Sequence, residues 1–165
     1  MKKTIVVYGS STGSCQDVAE QIAKKLGVSD VKNVSEVDAD TLSGYDNLLL
    51  GTSTWGAGEL QDDWYDGVDA LKSADLSGKT IALFGCGDAE GYSDTFCGGM
   101  SEIYKTVKDS GAKLIGQVPA YSYTYDDSES VVDGKFVGLA IDVSESEEET
   151  EKRIDDWIDV IRPEL

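Results

Sequence analysis

Short, continuous runs of β-branched and aliphatic residues return along this chain, and the segments between them carry helical spacing. The clear runs are Thr4-Ile5-Val6-Val7-Tyr8, Leu48-Leu49-Leu50, Thr80-Ile81-Ala82-Leu83-Phe84 and Lys113-Leu114-Ile115-Gly116-Gln117-Val118, with a weaker Val31-Lys32-Asn33-Val34 after the first. A strand that is apolar at every position has both faces buried, which is the condition of a parallel sheet covered by helices. Between the runs, Val18, Ala19, Ile22, Ala23 and Leu26 form one helical face, closed by Gly27. Met100, Ile103, Tyr104 and Val107 form another, closed by Gly111, and Ile154, Trp157, Ile158 and Ile161 form a third that ends at Pro163. Strands alternating with helices predict an α/β fold with right-handed crossovers. The expected architecture is one doubly wound domain over residues 1–165, with a five-stranded parallel sheet.

One segment breaks the alternation. Residues Pro119 to Gly134 are rich in Tyr, Ser and Asp, show little periodicity, and precede a strand-like Phe136-Val137-Gly138-Leu139-Ala140-Ile141. This reads as an insertion that splits the last strand. The acidic run Glu147-Glu148-Glu149 has a structural explanation, since Ser146 and Glu149 match a capping box and acids suit a helix N-terminus.

Composition narrows the function. There are 32 acidic and 14 basic residues, a formal net charge of −18. That disfavours nucleic acid and anionic membrane surfaces and favours a partner with a basic docking surface. Histidine is absent, which removes the commonest general base and metal ligand. Cys15, Cys86 and Cys97 show neither zinc spacing nor an even count, so no metal and no disulfide framework is expected and a reducing cytoplasm fits best. No apolar stretch approaches the length of a membrane span or a signal peptide.

In open α/β sheets, ligands sit beyond the carboxyl ends of the strands, and three loops there are unusual. Gly9-Ser10-Ser11-Thr12-Gly13-Ser14-Cys15 leads from the first strand into a helix. Its hydroxyls and backbone N–H groups suit one terminal phosphate, and it lacks both the triphosphate P-loop ending and the dinucleotide fingerprint. The same composition also suits a plain capping segment. Thr52-Ser53-Thr54-Trp55-Gly56-Ala57-Gly58-Glu59-Leu60 sets an aromatic face beside flexible glycines, a stacking surface or a cap on the core edge. Cys86-Gly87-Asp88-Ala89-Glu90-Gly91-Tyr92-Ser93-Asp94-Thr95-Phe96-Cys97 carries Tyr92 as a second candidate stacking ring, with Asp88 and Asp94 as acids or turn formers. Following the first, third and fourth strands, these loops converge at the switch point of a sheet ordered 2-1-3-4-5.

On these residues the whole chain resembles a flavodoxin of the long-chain type. Ser10-Ser11-Thr12-Gly13-Ser14-Cys15 is similar to the family's phosphate loop, with Cys15 where the family usually has Thr. Thr54-Trp55-Gly56-Ala57-Gly58-Glu59-Leu60-Gln61 resembles the loop over the inner flavin face, and Gly87-Asp88 through Phe96 the outer loop, with Tyr92 as its stacking ring. Gly134 to Asp142 is similar to the segment after the long-chain insertion. The resemblance implies a flavodoxin-like fold, non-covalent FMN and a low-potential one-electron carrier, not an enzyme, cycling between semiquinone and hydroquinone for a reductase donor and a low-potential acceptor. It further implies a cytoplasmic monomer. The FMN contacts it implies are Ser10, Ser11, Thr12, Gly13, Ser14, Cys15, Ser53, Thr54, Trp55, Gly56, Ala57, Gly58, Cys86, Gly87, Asp88, Tyr92, Asp94, Cys97 and Asp142, and it implies that the peptide after Gly56 flips on reduction. The phosphate loop holds no Lys or Arg. Two unit charges about 12 Å apart at an effective dielectric of about 20 repel by about 1.4 kcal/mol, on the order of 60 mV for one electron. The runner-up is an NAD(P)H-dependent FMN or quinone reductase of the same fold. A phospho-accepting receiver domain is disfavoured, because Gly9-Ser10 and Thr52-Ser53 stand where that class needs acids.

Overall fold

The computed structural model describes residues 1–9, 13–55, 59–92 and 95–165. Three of the expected runs become the inner strands of one sheet: β1 (Thr4–Gly9), β3 (Asn47–Trp55) and β5 (Thr80–Gly87), with β2 (Val31–Asn33) at one edge and a two-residue β4 (Glu59–Leu60) antiparallel to the end of β3. β1 pairs in parallel with both β2 and β3, and β3 with β5. The outer side of β5 is closed by two separate pieces. β6 (Lys113–Ile115) pairs with Thr80 to Ala82, and β10 (Leu139–Asp142) pairs with Phe84 to Gly87. Taken as one broken strand, these make five parallel strands, which counted along the chain without β4 stand in the order 2-1-3-4-5.

The two faces of the sheet sort by residue parity. Ile5, Val7, Leu48, Leu50, Ile81 and Leu83 pack with Trp64, Leu71, Met100, Ile103 and Val107 on one side. Val6, Tyr8, Leu49, Ala82 and Phe84 pack with Val18, Ile22, Leu26, Ile154, Trp157 and Ile161 on the other. This is why the strands read as unbroken apolar runs: each alternate side chain enters a different core. α1 (Ser14–Leu26) and α5 (Glu147–Ile161) cover the second face, while α3 (Trp64–Ser73) and α4 (Gly99–Val107) cover the first; a short α2 (Ala39–Ser43) precedes β3. Gly27 ends α1 in a left-handed conformation, its N–H donating to Ala23 O and Lys24 O. α4 ends at Val107, and the chain turns before it reaches Gly111 at φ 86°. At the head of α5, Ser146 Oγ accepts the Glu149 N–H at 3.2 Å, one half of the capping box.

The insertion is longer than its composition indicates. β6 stops at Ile115 because Gly116 adopts φ 81°, a turn out of the sheet that a side chain would strain. The Trp157 indole N–H donates to Gly116 O at 2.8 Å and fixes the exit. The expected strand from Phe136 to Ile141 is also divided. Phe136 lies in β9 (Lys135–Phe136), which pairs antiparallel with β7 (Val118–Pro119) and β8 (Val131–Val132) in a small separate sheet. Only Leu139–Asp142 rejoins the main sheet. A Cβ on Gly138 would lie 2.0 Å from Leu83 O, so the returning chain passes tight against β5 at the gap between β6 and β10.

Candidate functional site

The parallel strands β1, β3 and β5 all end on the same side of the sheet, where the topology places a site. There lies a cavity of about 130 Å³ bordered by Ser14, Ser53, Thr54, Cys86, Gly87, Asp88, Tyr92, Thr95, Cys97 and Val143. A second, adjoining cavity of about 340 Å³ between α1 and α5 shares Ser14, Cys86 and Val143 with it and carries the carboxylates Asp17, Glu145, Glu147 and Glu151.

From β1, the chain enters α1 through Gly13 at φ 92°, an N-cap with no side chain to offer the first-turn amides. A helix that starts this way presents N–H groups to an anion. Cys15 does not face that opening. Its thiol is fully buried and hydrogen-bonded to Cys86, and that bond together with burial pushes it well above the ordinary thiol range. It stays neutral and belongs to the core on the α1–α5 face. Trp64 packs at the ends of β1 and β3. Its indole N–H donates to Gly51 O at 2.7 Å, and a Cβ on Gly9 would lie 2.5 Å from its ring.

At the end of β3, alternation separates three consecutive hydroxyls. Thr52 Oγ1 donates to Ser53 O at 2.8 Å and accepts the Gln61 N–H at 3.4 Å. Thr54 Oγ1 accepts the Gly99 N–H at 3.1 Å, joining β3 to the start of α4. Ser53 points the other way, in register with Cys86. Among the described residues, Ser53 Oγ is the buried side-chain oxygen without a hydrogen-bond partner. Such a group costs about 1–3 kcal/mol of desolvation unless something meets it, and this one borders the cavity.

At the end of β5, Asp88 Oδ1 accepts the N–H groups of Glu90 and Gly91, both at 3.0 Å, and Asp88 O accepts the Tyr92 N–H at 2.8 Å. This turn carries Tyr92 out to the rim, where it is 53% exposed. A side chain on Gly87 would meet the Cys97 amide nitrogen at 2.6 Å, so the returning end of the loop packs on bare backbone. Asp142 secures the loop from behind. Its Oδ1 accepts Ala89 N–H at 3.1 Å, Ser144 N–H at 3.0 Å and Ser144 Oγ–H at 2.6 Å.

Of the residues singled out in the sequence, Ser14, Ser53, Thr54, Cys86, Gly87, Asp88, Tyr92 and Cys97 border the small cavity. Gly13 and Cys15 stand at the head of α1, and Asp142 braces the third loop. Ser10, Ser11, Thr12, Gly56, Ala57, Gly58 and Asp94 lie outside the described residues, as does the side chain of Trp55. Thr95 and Val143 also border the cavity, although neither stands out in the sequence, and Trp64 packs at the ends of β1 and β3. The i, i+3, i+7 spacing of Trp64, Gly67 and Leu71, all buried in α3, is the signal that could have found Trp64.

The profile of the family described as Flavodoxin matches residues 6–157. Over its full length the chain is 43% identical to Flavodoxin 1 of Azotobacter vinelandii and 39% identical to the flavodoxin of Synechocystis sp., covering 98% and 99% of those proteins. The crystal structure of Fusobacterium nucleatum flavodoxin bound to flavin mononucleotide superposes with a TM-score of 0.91 at 31% identity, covering all of this chain and 99% of that one.

Proposed function

Because this chain belongs to the flavodoxin family, we propose that its converging loops hold FMN and that it carries single electrons between redox proteins. The observation that carries the reading is the Ser53 hydroxyl, buried with no partner among the described residues, in a cavity bordered by Ser14 at the N-terminus of α1: a polar group and an anion-seeking helix end at one site. Both fit the cofactor: the α1 amides and the Ser/Thr-rich loop receive its phosphate, and Ser53 meets one of its polar atoms. FMN supplies the one-electron chemistry. The protein supplies the binding, the orientation and the field. Tyr92 on the rim covers one ring face, and the loop carrying Trp55 is assigned the other. Cys15 contributes its backbone N–H, since its thiol is committed to Cys86.

The field is predominantly negative. Asp17, Glu145, Glu147 and Glu151 border the adjoining cavity; Arg153 is held by Glu145 through Nε at 2.8 Å and Nη2 at 3.1 Å, and Lys25 reaches Glu151 at 3.4 Å. Adding an electron there is opposed, which makes the loaded protein a strong reductant. Redox proteins with basic surfaces are the partners this charge selects, and the chain works as a cytoplasmic monomer of one domain. Among the described residues no helix is long and apolar enough to cross a membrane.

Stripping the protein and titrating it with FMN and with riboflavin tests the assignment. FMN should bind at least 100-fold more tightly, because riboflavin lacks the phosphate that the α1 amides receive. Equal affinities reject the phosphate cradle. Mixing the holoprotein with NAD(P)H and a quinone should give negligible turnover, and rapid turnover would favour the reductase reading.

A further inference from the structure

The segment between β7 and β9 does more than leave and rejoin the sheet: it grips the far end of the third loop. Ser128 Oγ donates to Phe96 O, and Ser130 Oγ donates to Cys97 O at 2.6 Å. Phe96 N–H donates in turn to Asp127 O at 3.2 Å. Two serines two residues apart thus hold two consecutive carbonyls. Both are buried, Ser130 completely. The pair is itself tied, since Ser130 N–H donates to Ser128 Oγ at 3.1 Å and Val137 N–H donates to Ser130 O at 2.9 Å. Phe96 is also clasped by rings, with centroids 5.9 Å from Tyr123, 5.6 Å from Tyr125 and 5.7 Å from Phe136.

What is gripped is strained. Cys97 has φ 50°, a left-handed conformation that a residue with a Cβ rarely adopts. Its thiol is buried against Gly85 O at 3.9 Å and Ile141 O at 3.7 Å, and its amide presses on Gly87. Cys97 and Thr95 border the small cavity, and the other arm of the same loop carries Asp88 and Tyr92. A strained residue at the wall of a cavity persists only where its surroundings over-determine it. Here those surroundings come from the insertion.

We propose that Ser130, with Ser128, is a positioning residue for the bound flavin: its hydroxyl holds the left-handed Cys97 peptide and thereby sets the loop that closes one side of the cofactor cavity. This rests on the FMN reading above. Neither serine borders the cavity, so each acts through the loop and not by touching the cofactor.

The test compares Ser130→Ala and Ser128→Ala with a control, Thr106→Ala, which removes a similar hydroxyl-to-carbonyl bond (Thr106 Oγ1 to Glu102 O, 2.9 Å) on the exposed side of α4. Two quantities are read on the full chain: the FMN dissociation constant from flavin fluorescence, and amide hydrogen exchange of residues 88–97 in the stripped protein. Ser130→Ala should weaken FMN by about tenfold and speed exchange in the loop. Thr106→Ala should change neither. A double-mutant cycle with Cys97→Gly separates positioning from general destabilisation. Once position 97 bears no Cβ, the left-handed turn needs no clamp, so the Ser130→Ala penalty on FMN affinity should shrink several-fold. Unaltered loop exchange in Ser130→Ala, or an equal penalty in both backgrounds, overturns the proposal. A wild-type chain that does not bind FMN overturns the cofactor reading, while the exchange data still report whether the serine clamp exists.

Discussion

Ser53 makes a single residue answer to two opposed demands. Its hydroxyl is buried without a partner among the described residues and adjoins the cavity. Replacing it with alanine removes the desolvation penalty but also removes the group offered to the cofactor. Ser53→Ala should therefore stabilise the stripped protein by about 1 kcal/mol in urea denaturation while weakening FMN several-fold. Losses in both measurements would mean that the hydroxyl has a structural partner, and gains in both would mean it faces no ligand. Its neighbours show how fine the distinction is. Thr52 and Thr54 carry the same chemistry one position away on either side, and both spend it inside the protein. The sequence displays three hydroxyls in a row; only the strand's alternation decides which one is left over. Cys15 is the converse. A thiol at a hydroxyl's usual place looks like a weakened donor, whereas the fold turns it into the core against Cys86.

Among the elements, α5 is the one whose design is plainest in the residues. Ser146 caps it, three glutamates fill its first turn, and Ile154, Trp157, Ile158 and Ile161 bury one face. Ser146→Ala should cost about 1 kcal/mol, read as a lower urea midpoint, because an orphaned first-turn N–H loses its acceptor. An unchanged midpoint would show that the helix is held by packing alone. The inner strands are equally legible, since burial on both faces leaves an unmistakable apolar run. The short helix α2 and the helix α3 are not. α3 buries only Trp64, Gly67 and Leu71, so its apolar stripe is thin, and the acids around it read as loop. The split strand is legible as an event but not in its limits. Phe136 and Val118 look like continuations of the main sheet, and nothing local reveals that they pair with each other. Long-range pairing of this kind overrides local pattern. In the site, the loops and glycines stand out by their composition, while the clamp by Ser128 and Ser130 does not. Isolated serines in a polar segment carry no signal until the chain brings them beside Phe96 and Cys97.

For the molecule as a whole, charge outweighs every other surface property. A net −18 on 165 residues means that self-repulsion acts against the compact state and against any further electron at the cofactor. Of the ion pairs among the described residues, Lys25 with Asp155 at 2.6 Å and Glu151 at 3.4 Å ties α1 to α5, and the Lys113–Glu164 pair ties β6 to the C-terminal turn. They neutralise few of the acids. Raising salt from about 20 mM to about 500 mM shortens the screening length from about 20 Å to about 4 Å. Both the urea midpoint and the cofactor's reduction potential should rise. A potential that stays put would assign the reducing power to contacts at the ring instead of to the protein's field.

The broken outer strand also bears on how such a chain tolerates crowding with its own kind. An open sheet ends in two rows of unpaired amides and carbonyls, templates on which another copy can zip. Here one border is β2, only Val31–Asn33 long and carrying Lys32. The other is interrupted between Ile115 and Leu139, where the chain departs and a separate small sheet forms. Neither border offers a continuous ladder, so the interruption that shapes the cofactor loop also acts as a gatekeeper against fibrous self-association.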